Sequence, residues 1–349
     1  MYHSVLLAGG IGRRLFPEST PSHPKPFLVF ENNQTLLETS FKRMLPLVPP
    51  ERTWIITAKA MKERVRLLLP DAAEEQILAE PAGRNTAPAI GWAAAKILET
   101  DPDAVMFVLP SDHVIKPENV FRQTLQEAAA LVQSMPEMLL TLGIKPVFPA
   151  TSYGYIQKGA EIKDGVFYAR KFCEKPPLPQ AEEYFQSGQY FWNAGIFIWK
   201  ARMIWDLLHR YEPEIGQRLD EMRDSFGSND EAAVTEECFA AMKSISIDYA
   251  VMERAETVGV LATSFDWNDV GTWRALDRLY AHERDADGNI AVNVKTAAVN
   301  SSNCTVRGNE ANRLVVLVGI HDTVVVQTDD TVLIMKKDQE ELLGNCFKE

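Results

Sequence analysis

A short stretch near the N-terminus combines the residue types that bind phosphate groups. Gly9–Gly12 contains three glycines and directly follows the apolar run Val5–Ala8. Because glycine has no Cβ, its backbone can approach an anion closely and point successive N–H groups at phosphate oxygens. Arg13, Arg14 and, further along, Lys25 bring the positive charge that a polyphosphate requires. The stretch therefore predicts a nucleotide-phosphate site.

The order of these residues distinguishes between kinds of phosphate site. The P-loop pattern is absent, because no Gly-Lys-Ser/Thr follows the glycines. The dinucleotide fingerprint fits Gly10 and Gly12 but requires a third glycine where Leu15 stands. That mismatch disfavours an NAD-dependent enzyme. A tight βα turn with solvated basic residues is the structural alternative, and the longer pattern, which adds Arg14 and Pro24-Lys25, disfavours it.

Composition and charge limit the class of protein. The 349 residues can bury the core of a large domain and a smaller one. A net charge of −12 disfavours a nucleic-acid partner. It is compatible with a phosphate-bearing substrate, because a few local cations and a metal can focus the field in a cleft. The four cysteines are far apart, so we expect free thiols, a reducing compartment and no zinc site.

The chain also lacks the patterns of export and of membrane insertion. Its N-terminus has no basic segment followed by a long apolar segment, so it does not predict a signal peptide. No apolar run approaches the roughly 20 residues that cross a bilayer. We therefore expect a cytoplasmic protein with no membrane partner.

Short apolar segments alternate with helical patterns in the first half of the chain. The predicted strands are Val5–Ala8, Phe27–Phe30, Thr53–Thr57, Ala104–Leu109 and Met138–Gly143. The predicted helices are Thr35–Leu45, Met61–Leu69, Ala87–Leu98 and Pro117–Val132. The alternation predicts an α/β fold, Rossmann-like, in which helices cover both faces of a mostly parallel sheet.

A second, smaller domain is predicted at the C-terminus. Residues 282–289 are polar and rich in turn formers. After them, β-branched segments at 314–318, 323–327 and 331–335 are evenly spaced by turns. We therefore predict a catalytic domain over 1–285 and a small all-β domain over 286–349.

Two aspartates are candidate metal ligands. Asp112 follows the predicted strand Ala104–Leu109, and Asp269 lies in the segment D-W-N-D-V-G-T-W. Ligands of open α/β sheets bind beyond the carboxyl ends of the strands, and Mg²⁺ is commonly held by one or two carboxylates together with substrate phosphates. The alternatives are a helix cap or turn for Asp112 and a turn residue before Gly271 for Asp269.

Other segments carry groups that suit a sugar or a base. Glu174 and Lys175 offer an acceptor for hydroxyl groups and a point charge for a phosphate. The amide of Asn193 presents both donors and an acceptor. Asn85 and Thr86 offer polar groups to a base edge. The structural alternatives are a surface ion pair, a turn beside a core aromatic residue, and capping of a helix, respectively.

These motifs, in their order from Val5 to about Trp273, resemble those of the sugar-nucleotide pyrophosphorylases. That family joins a nucleoside triphosphate to a sugar 1-phosphate. The string E-P-x-x-R-N-T-A-P at 80–88 resembles the motif typical of mannose-1-phosphate guanylyltransferases, and residues 246–253 resemble another segment of that group. Two positions depart from the family pattern: Arg13 replaces a small or polar residue, and Glu18 replaces leucine.

The resemblance implies a reaction and a role for each matching residue. GTP and mannose 1-phosphate would give GDP-mannose and pyrophosphate, with Mg²⁺ on Asp112 and Asp269. Arg14 and Lys25 would join these aspartates in catalysis. Nucleotide binding is implied for Leu7, Ala8, Gly9, Gly10, Gly12, Arg13, Glu80, Pro81, Asn85 and Thr86. Sugar-phosphate binding is implied for Gly154, Glu174, Lys175 and Asn193.

Other functions within the same resemblance stay open at this point. One is a nucleotidyltransferase for another base or sugar, such as heptose 1-phosphate or glucose 1-phosphate. Another is a non-catalytic regulatory subunit that binds GDP-mannose. The resemblance and the short β-rich tail also suggest a homodimer. Some relatives continue into a phosphomannose isomerase domain, and that second activity is not expected here. Asp248 receives no role.

Overall fold

The structure, a computed structural model, describes residues 1–10, 12–31 and 33–347. Ile11 of the glycine-rich stretch and the last two residues of the predicted C-terminal domain lie outside the described residues. Within the described part, the helices are α1 (Leu36–Met44), α2 (Lys62–Leu68), α3 (Thr86–Thr100), α4 (Glu118–Ser134), α5 (Leu178–Ser187), α6 (Ala201–Tyr211), α7 (Pro213–Ser225), α8 (Glu231–Ala241) and α9 (Trp273–Leu279).

The described part also contains nineteen strands, and those of the first half of the chain alternate with the helices. They are β1 (Tyr2–Leu7), β2 (Val29–Glu31), β3 (Gln34–Thr35), β4 (Thr53–Ala58), β5 (Ile77–Glu80), β6 (Val105–Pro110), β7 (Val114–Lys116), β8 (Leu139–Ile144), β9 (Tyr155–Lys163), β10 (Val166–Cys173), β11 (Tyr190–Lys200), β12 (Val258–Ala262), β13 (Asp266–Asn268), β14 (Ile290–Val292), β15 (Lys295–Val299), β16 (Thr305–Gly308), β17 (Leu314–Val318), β18 (Thr323–Gln327) and β19 (Val332–Lys336).

The chain divides into two compact units, each made of several segments. The first unit contains Met1–Gly9, Glu38–Ser111 and Ile115–Trp267. The second unit contains Gly10–Leu37, Asp112–Val114 and Asn268–Glu349. The second unit thus joins the C-terminal residues to two segments from earlier in the chain. The predicted boundary at residue 286 stays a prediction.

One sheet forms the centre of the first unit. Its strand order is β5-β4-β1-β6-β11-β8-β12-β10-β9. The strands β5, β4, β1 and β6 run parallel to one another, and β8 runs parallel to β12. The long strand β11 runs antiparallel to both β6 and β8, and the hairpin β9–β10 is antiparallel as well. Parallel pairing is therefore concentrated among the strands that alternate with helices in the sequence.

Both faces of this sheet are buried. Val5, Ile56 and Val108 belong to a hydrophobic cluster that includes residues of α3, α6 and α7. Successive side chains of a strand point to opposite faces, and the neighbouring Leu6 and Phe107 are also 0% exposed. Burial on both faces is what helix-covered parallel strands require. The predicted Rossmann-like α/β fold is confirmed.

The segment predicted as a strand at Phe27–Phe30 folds differently. Residues Lys25–Phe27 form a single 3₁₀ turn, and β2 begins only at Val29. The N–H groups of Phe27 and Leu28 donate to the main-chain oxygens of Pro24 and Lys25 within this turn, so they are not available to a strand ladder. The short strand β2 pairs with β3 in a separate two-stranded sheet.

The second unit has its own core and small sheets. Leu15, Trp273 and Tyr280 are buried in one hydrophobic cluster with residues of β14 and β18. The strands β14, β16 and β18 pair in parallel, and β15 pairs in parallel with β17. The predicted segments 314–318 and 323–327 coincide with β17 and β18, which confirms a small β-rich region at the C-terminus. Within the predicted all-β range, Lys337–Phe347 form a 3₁₀ helix instead. No helix in the described ranges has the length and apolarity needed to traverse a bilayer.

Candidate active site

Lys25 joins two of the predicted acidic residues within the second unit. Its side chain is only 8% exposed, and its ammonium Nζ lies 2.8 Å from Oδ2 of Asp112. The same ammonium donates a hydrogen bond to the main-chain oxygen of Asp269. A buried charge is stable only when it is paired and hydrogen-bonded. The structure therefore brings together three residues that are far apart in the sequence.

The carboxyl group of Asp112 is held in its charged form. Burial by itself raises the pKa of this group. The positive charge of Lys25, the smaller effect of His113 and the hydrogen bond from Lys25 together outweigh burial and hold the pKa of Asp112 below its usual range. His113 Nε2 lies 3.8 Å from Oδ1 of Asp112. The side chain of Asp112 is therefore a charged carboxylate at neutral pH.

A strained turn positions Asp269. The next residue, Val270, has φ of +43° although it is β-branched, and its side chain is completely buried. Oδ1 of Asp269 accepts a hydrogen bond from the N–H of Gly271 at 3.2 Å. A Cβ added to Gly271 would lie 2.6 Å from Oδ2 of Asp269 and 3.4 Å from Nη2 of Arg14. Glycine is therefore required beside this carboxylate, and Arg14 lies close to it.

Two residues of the glycine-rich turn adopt backbone conformations that favour glycine. Gly10 and Gly12 have φ of +94° and +67°, which L side chains rarely adopt. A Cβ on Gly12 would lie 2.7 Å from Cβ of Lys25, so no larger residue fits there. Arg13 and Arg14 are exposed, while Leu15 of the same 3₁₀ turn is buried and anchors it. The exposed arginines are accessible to an anionic ligand.

In the first unit, the main chain at the end of β1 is mostly committed to the sheet. The N–H of Ala8 donates to Ile56 at 2.7 Å, and the main-chain oxygen of Leu7 accepts from the N–H of Ser111 at 3.1 Å. Gly9, which follows, is exposed. Among the three residues predicted to contact nucleotide at this strand end, Gly9 is therefore the most accessible.

Glu80 ends β5 with an unusual carboxyl group. Its Oε1 is buried and accepts no hydrogen bond within the described residues. Oε2 lies 3.8 Å from where a Cβ on Gly9 would be. Burial raises the pKa of Glu80 to about 7. A buried acceptor without a donor is costly, which indicates a ligand that supplies donors.

The loop after Glu80 is tied to the protein by its polar side chains. Asn85, with φ of +65°, caps α3 by accepting a hydrogen bond from the N–H of Thr86 at 2.9 Å. The hydroxyl of Thr86 accepts from the N–H of Ile247 at 2.8 Å. Pro81 is half-buried at the start of the loop. The capping alternative is thus present, and it can coexist with nucleotide binding by the exposed Asn85.

The predicted sugar-binding residues lie together in the first unit. A Cβ on Gly154 would lie 2.7 Å from Oε2 of Glu174, so only glycine fits beside that carboxylate. The N–H of Asn193 donates to the main-chain oxygen of Gly154 at 2.8 Å. Oε1 of Glu174 lies 2.5 Å from the ammonium of Lys175. The cluster offers acceptors and a cation, which are the groups that bind sugar hydroxyls and a phosphate.

Backbone strain coincides with two predicted site loops. Across the described ranges, positive φ in a residue other than Gly, Asn or Asp occurs at Lys175, with φ of +41°, and at Val270. Such conformations cost about 1–3 kcal/mol each and concentrate at active sites. An observed outlier therefore supports a functional role for both loops.

Comparison with known proteins identifies the family. A family model described as nucleotidyl transferase matches residues 3–286, and a model described as MannoseP isomerase/GMP-like beta-helix domain matches residues 295–341. A putative mannose-1-phosphate guanylyltransferase of Vibrio cholerae serotype O1 is 37% identical over 349 residues, covering 97% of this chain and 72% of that protein. The chain belongs to the mannose-1-phosphate guanylyltransferase family.

Two further relatives support this family membership. The mannose-1-phosphate guanylyltransferase of Escherichia coli K12 is 37% identical, covering 96% of this chain and 70% of that protein. A crystal structure described as mannose-1-phosphate geranyltransferase from Thermus thermophilus aligns with a TM-score of 0.88 at 33% identity. That alignment covers 99% of this chain and 98% of the other. The nucleotidyltransferase fold and enzyme class are confirmed, and the C-terminal region is a β-helix domain.

Proposed function

We propose that this nucleotidyltransferase transfers GMP from GTP to mannose 1-phosphate, giving GDP-mannose and pyrophosphate. The observation that carries the proposal is the buried Lys25, whose ammonium contacts both Asp112 and Asp269. Nucleotidyl transfer requires positioning and charge neutralisation rather than a protein nucleophile. A preorganised cation held between these two residues provides that neutralisation.

The reaction is an in-line displacement at the α-phosphorus of GTP. A phosphate oxygen of the sugar phosphate forms the new P–O bond, and the bond to pyrophosphate breaks on the opposite side. The main chain of Gly9, Gly10 and Gly12 and the side chains of Arg13 and Arg14 hold the triphosphate. Lys25 stabilises the charge that develops on the α-phosphoryl group, and Lys175 holds the attacking phosphate.

Asp112 and Asp269 are the residues that would hold Mg²⁺. A carboxylate oxygen of Asp112 and the main-chain oxygen of Asp269 both contact the ammonium of Lys25, so the two residues lie near each other in the second unit. Carboxylate oxygens are hard donors, which Mg²⁺ prefers. No cluster of three or more His, Cys, Asp or Glu suited to a metal occurs in the part of the chain that the structure describes. Mg²⁺ commonly takes one or two carboxylates and completes its shell with phosphates and water, so this donor set fits. When bound, the ion neutralises phosphate charge and orients the two substrates.

Glu80 supports guanine as the base. The Watson–Crick edge of guanine presents two adjacent donors, N1–H and the exocyclic amine, which match a carboxylate. Adenine presents one donor beside a lone pair, and a carboxylate would repel that lone pair. The two guanine donors would satisfy the buried oxygen of Glu80 and stabilise its ionised form, which favours guanine over adenine.

The clustered acceptors of the first unit support a sugar substrate. Glu174 and Asn193 would bind hexose hydroxyls, and Gly154 leaves room for the carboxylate of Glu174. A regulatory subunit without catalysis is disfavoured because Arg14, Lys25, Asp112, Lys175 and Asp269 are all present. The homodimer suggested by the family resemblance stays a prediction.

The proposal is tested by a substrate panel. Pyrophosphate release is measured with GTP, ATP, UTP and dTTP, each against mannose 1-phosphate, glucose 1-phosphate and a heptose 1-phosphate, with and without Mg²⁺. We expect Mg²⁺-dependent release with GTP and mannose 1-phosphate. Release with a different pair would keep the nucleotidyltransferase and overturn the substrates. No release with any pair, together with binding of GDP-mannose, would favour the regulatory subunit.

A further inference from the structure

Asn193 occupies an irregular position in β11. It pairs with Gly143 of β8, but the register shifts before the next paired residue, Phe197. Gly195, two residues on, has φ of +66°, so the strand bends there. Such a bulge re-aims a side chain within a sheet. The direction of the Asn193 amide therefore depends on the groups around it and not on a regular strand alone.

The side-chain oxygen of Asn193 is fixed from one side. Oδ1 accepts a hydrogen bond from the N–H of Gly195 at 3.1 Å. The hydroxyl of Thr141 lies 3.2 Å from the same oxygen. Because a backbone N–H can only donate, Oδ1 and not Nδ2 must face Gly195. These two contacts hold the oxygen end of the amide.

The amide nitrogen of Asn193 is fixed by Asp248. Nδ2 donates a hydrogen bond to Oδ1 of Asp248 at 2.9 Å. An amide nitrogen carries two hydrogens, so this bond leaves one N–H for a ligand. Asp248 belongs to a segment that resembles the family, although the sequence alone assigns it no role. Its contact with a predicted sugar-binding residue is the first indication of one.

Asp248 is itself held in place by an unusual helical turn. It begins the π-helical turn Asp248–Met252, in which the N–H of Glu253 donates to its main-chain oxygen at 2.9 Å. The preceding residue, Ile247, donates its N–H to the hydroxyl of Thr86 at 2.8 Å. The main-chain oxygen of Ile245 accepts from the N–H of Ala87 at 3.1 Å. Asp248 is thus anchored to the start of α3, and π turns of this kind are frequent at functional sites.

The surroundings of Asp248 disfavour the charged form of its carboxyl group. Burial, and then the negative charge of Glu174, raise its pKa to about 6, although the hydrogen bond from Asn193 opposes the rise. Burial and Glu174 also raise the pKa of Glu253. A like-charged group placed beside a sugar-binding carboxylate destabilises the free protein. Its hydrogen bond to Asn193 gives it a positioning role that an uncharged apolar residue could not perform.

We propose that Asp248 is a positioning residue that fixes the Asn193 amide with a single N–H directed to the sugar, and so sets selectivity for the hexose. This inference rests on the proposed function, because it takes a sugar 1-phosphate as the ligand. Mannose and glucose differ only in the orientation of the hydroxyl at C2. A fixed donor beside the acceptor Glu174 distinguishes such isomers better than an amide that can rotate. Asp248 acts through Asn193 and touches no reacting atom.

The test is a set of variants assayed for each substrate separately. In Asp248→Ala we expect the KM for mannose 1-phosphate to rise about tenfold, the scale of one lost hydrogen bond. We expect kcat and the KM for GTP to stay within about twofold. The preference for mannose 1-phosphate over glucose 1-phosphate should fall. Asp248→Asn keeps an acceptor for Nδ2 of Asn193, so it should restore most of the KM and the preference.

Two further variants separate positioning from other roles. Glu253→Gln removes a carboxylate whose pKa responds to Glu174 but which does not hold the Asn193 amide, and it should leave the KM near that of the parent. In an Asn193→Ala background, adding Asp248→Ala should change the KM no further, since Asp248 acts only through that amide.

Several outcomes would overturn the inference. One is an unchanged KM for mannose 1-phosphate in Asp248→Ala. Another is an equal rise in the KM values for mannose 1-phosphate and GTP together with a lower melting temperature. A third is a further rise in the KM for mannose 1-phosphate when Asp248→Ala is added to Asn193→Ala. An effect of Glu253→Gln as large as that of Asp248→Ala would also reject it. Absence of turnover by the parent enzyme with every substrate pair would overturn the proposed function, and this inference with it. An active parent with an unaffected Asp248→Ala variant overturns the inference alone.

Discussion

Arg307 and Glu18 form a buried ion pair within the second unit. Nε of Arg307 donates to Oε1 of Glu18 at 2.5 Å, and the two side chains are only 8% and 12% exposed. Nη2 of Arg307 also donates to the main-chain oxygen of Val29 at 2.7 Å, and its guanidinium lies 4.7 Å from the ring centroid of Phe30. In the family pattern that the sequence resembles, leucine stands at the position of Glu18. The structure explains this departure, because Arg307 of β16 requires an anionic partner.

Because Arg307 and Glu18 are paired, we predict that leucine at position 18 destabilises this protein. In Glu18→Leu, Arg307 would remain buried without its carboxylate, and breaking a buried pair by removing one partner costs about 3–5 kcal/mol. We expect a clearly lower free energy of unfolding, measured by urea denaturation. The double variant Glu18→Leu/Arg307→Met replaces both charges with apolar groups and should recover most of the loss. A single variant as stable as the parent would contradict this account.

Lys25→Ala tests the proposed role of the buried ammonium. Removing one preorganised electrostatic contact lowers turnover by roughly 10²–10³. We expect that loss in kcat, measured by pyrophosphate release with a protein shown to be folded by circular dichroism. Lys62→Ala is the matched control, because Lys62 is 40% exposed and pairs with the surface residue Glu74. Near-normal turnover in folded Lys25→Ala would remove Lys25 from the catalytic machinery.

Asp112→Asn tests the predicted metal ligand. An amide has no negative charge, so the variant should bind Mg²⁺ more weakly while keeping a similar shape. We expect a higher Mg²⁺ concentration for half-maximal turnover, determined from a Mg²⁺ titration at saturating GTP and sugar phosphate. Asp266→Asn is the control, because Asp266 is exposed and lies in the same sequence motif as Asp269. The same Mg²⁺ dependence as the parent would exclude Asp112 as a ligand.

Glu80→Gln should stabilise the protein at high pH and weaken nucleotide binding. The folded-state pKa of Glu80 is raised from 4.5 to about 7 by burial. Its contribution to stability is therefore fully present below about pH 4.5 and is lost as the pH rises through 7. Glutamine does not ionise, so the variant should be more stable by up to about 3 kcal/mol at pH 8 and nearly equal to the parent at pH 4.5.

Two measurements check this prediction. Free energies of unfolding are compared at pH 4.5 and pH 8, and the KM for GTP is measured at pH 8, where we expect it to rise. The exposed Glu75→Gln is the control for loss of a carboxylate elsewhere in the same region. A stability difference that does not change with pH would show that Glu80 is not the titrating group.

The sequence by itself determined the features that depend on neighbouring residues. Gly10 and Gly12 adopt the positive φ angles that a glycine-rich turn requires, since this preference is a property of the residue itself. The predicted strand Thr53–Thr57 and helix Met61–Leu69 lie within about one residue of β4 and α2. Periodic apolar residues specify such elements locally. The order of the motifs along the chain was also sufficient to identify the family.

The tertiary structure alone decided which distant groups meet. Lys25 bonds to the main chain of a residue 244 positions away, and Arg307 pairs with Glu18 at a separation of 289. The contact between Asn193 and Asp248, 55 positions apart, likewise depends on how β11 bends. Nothing in local residue patterns encodes such distances, because chain topology and burial determine them. The 3₁₀ turn Lys25–Phe27 replaces the start of the predicted strand Phe27–Phe30, and only tertiary contacts place its Lys25 beside Asp112.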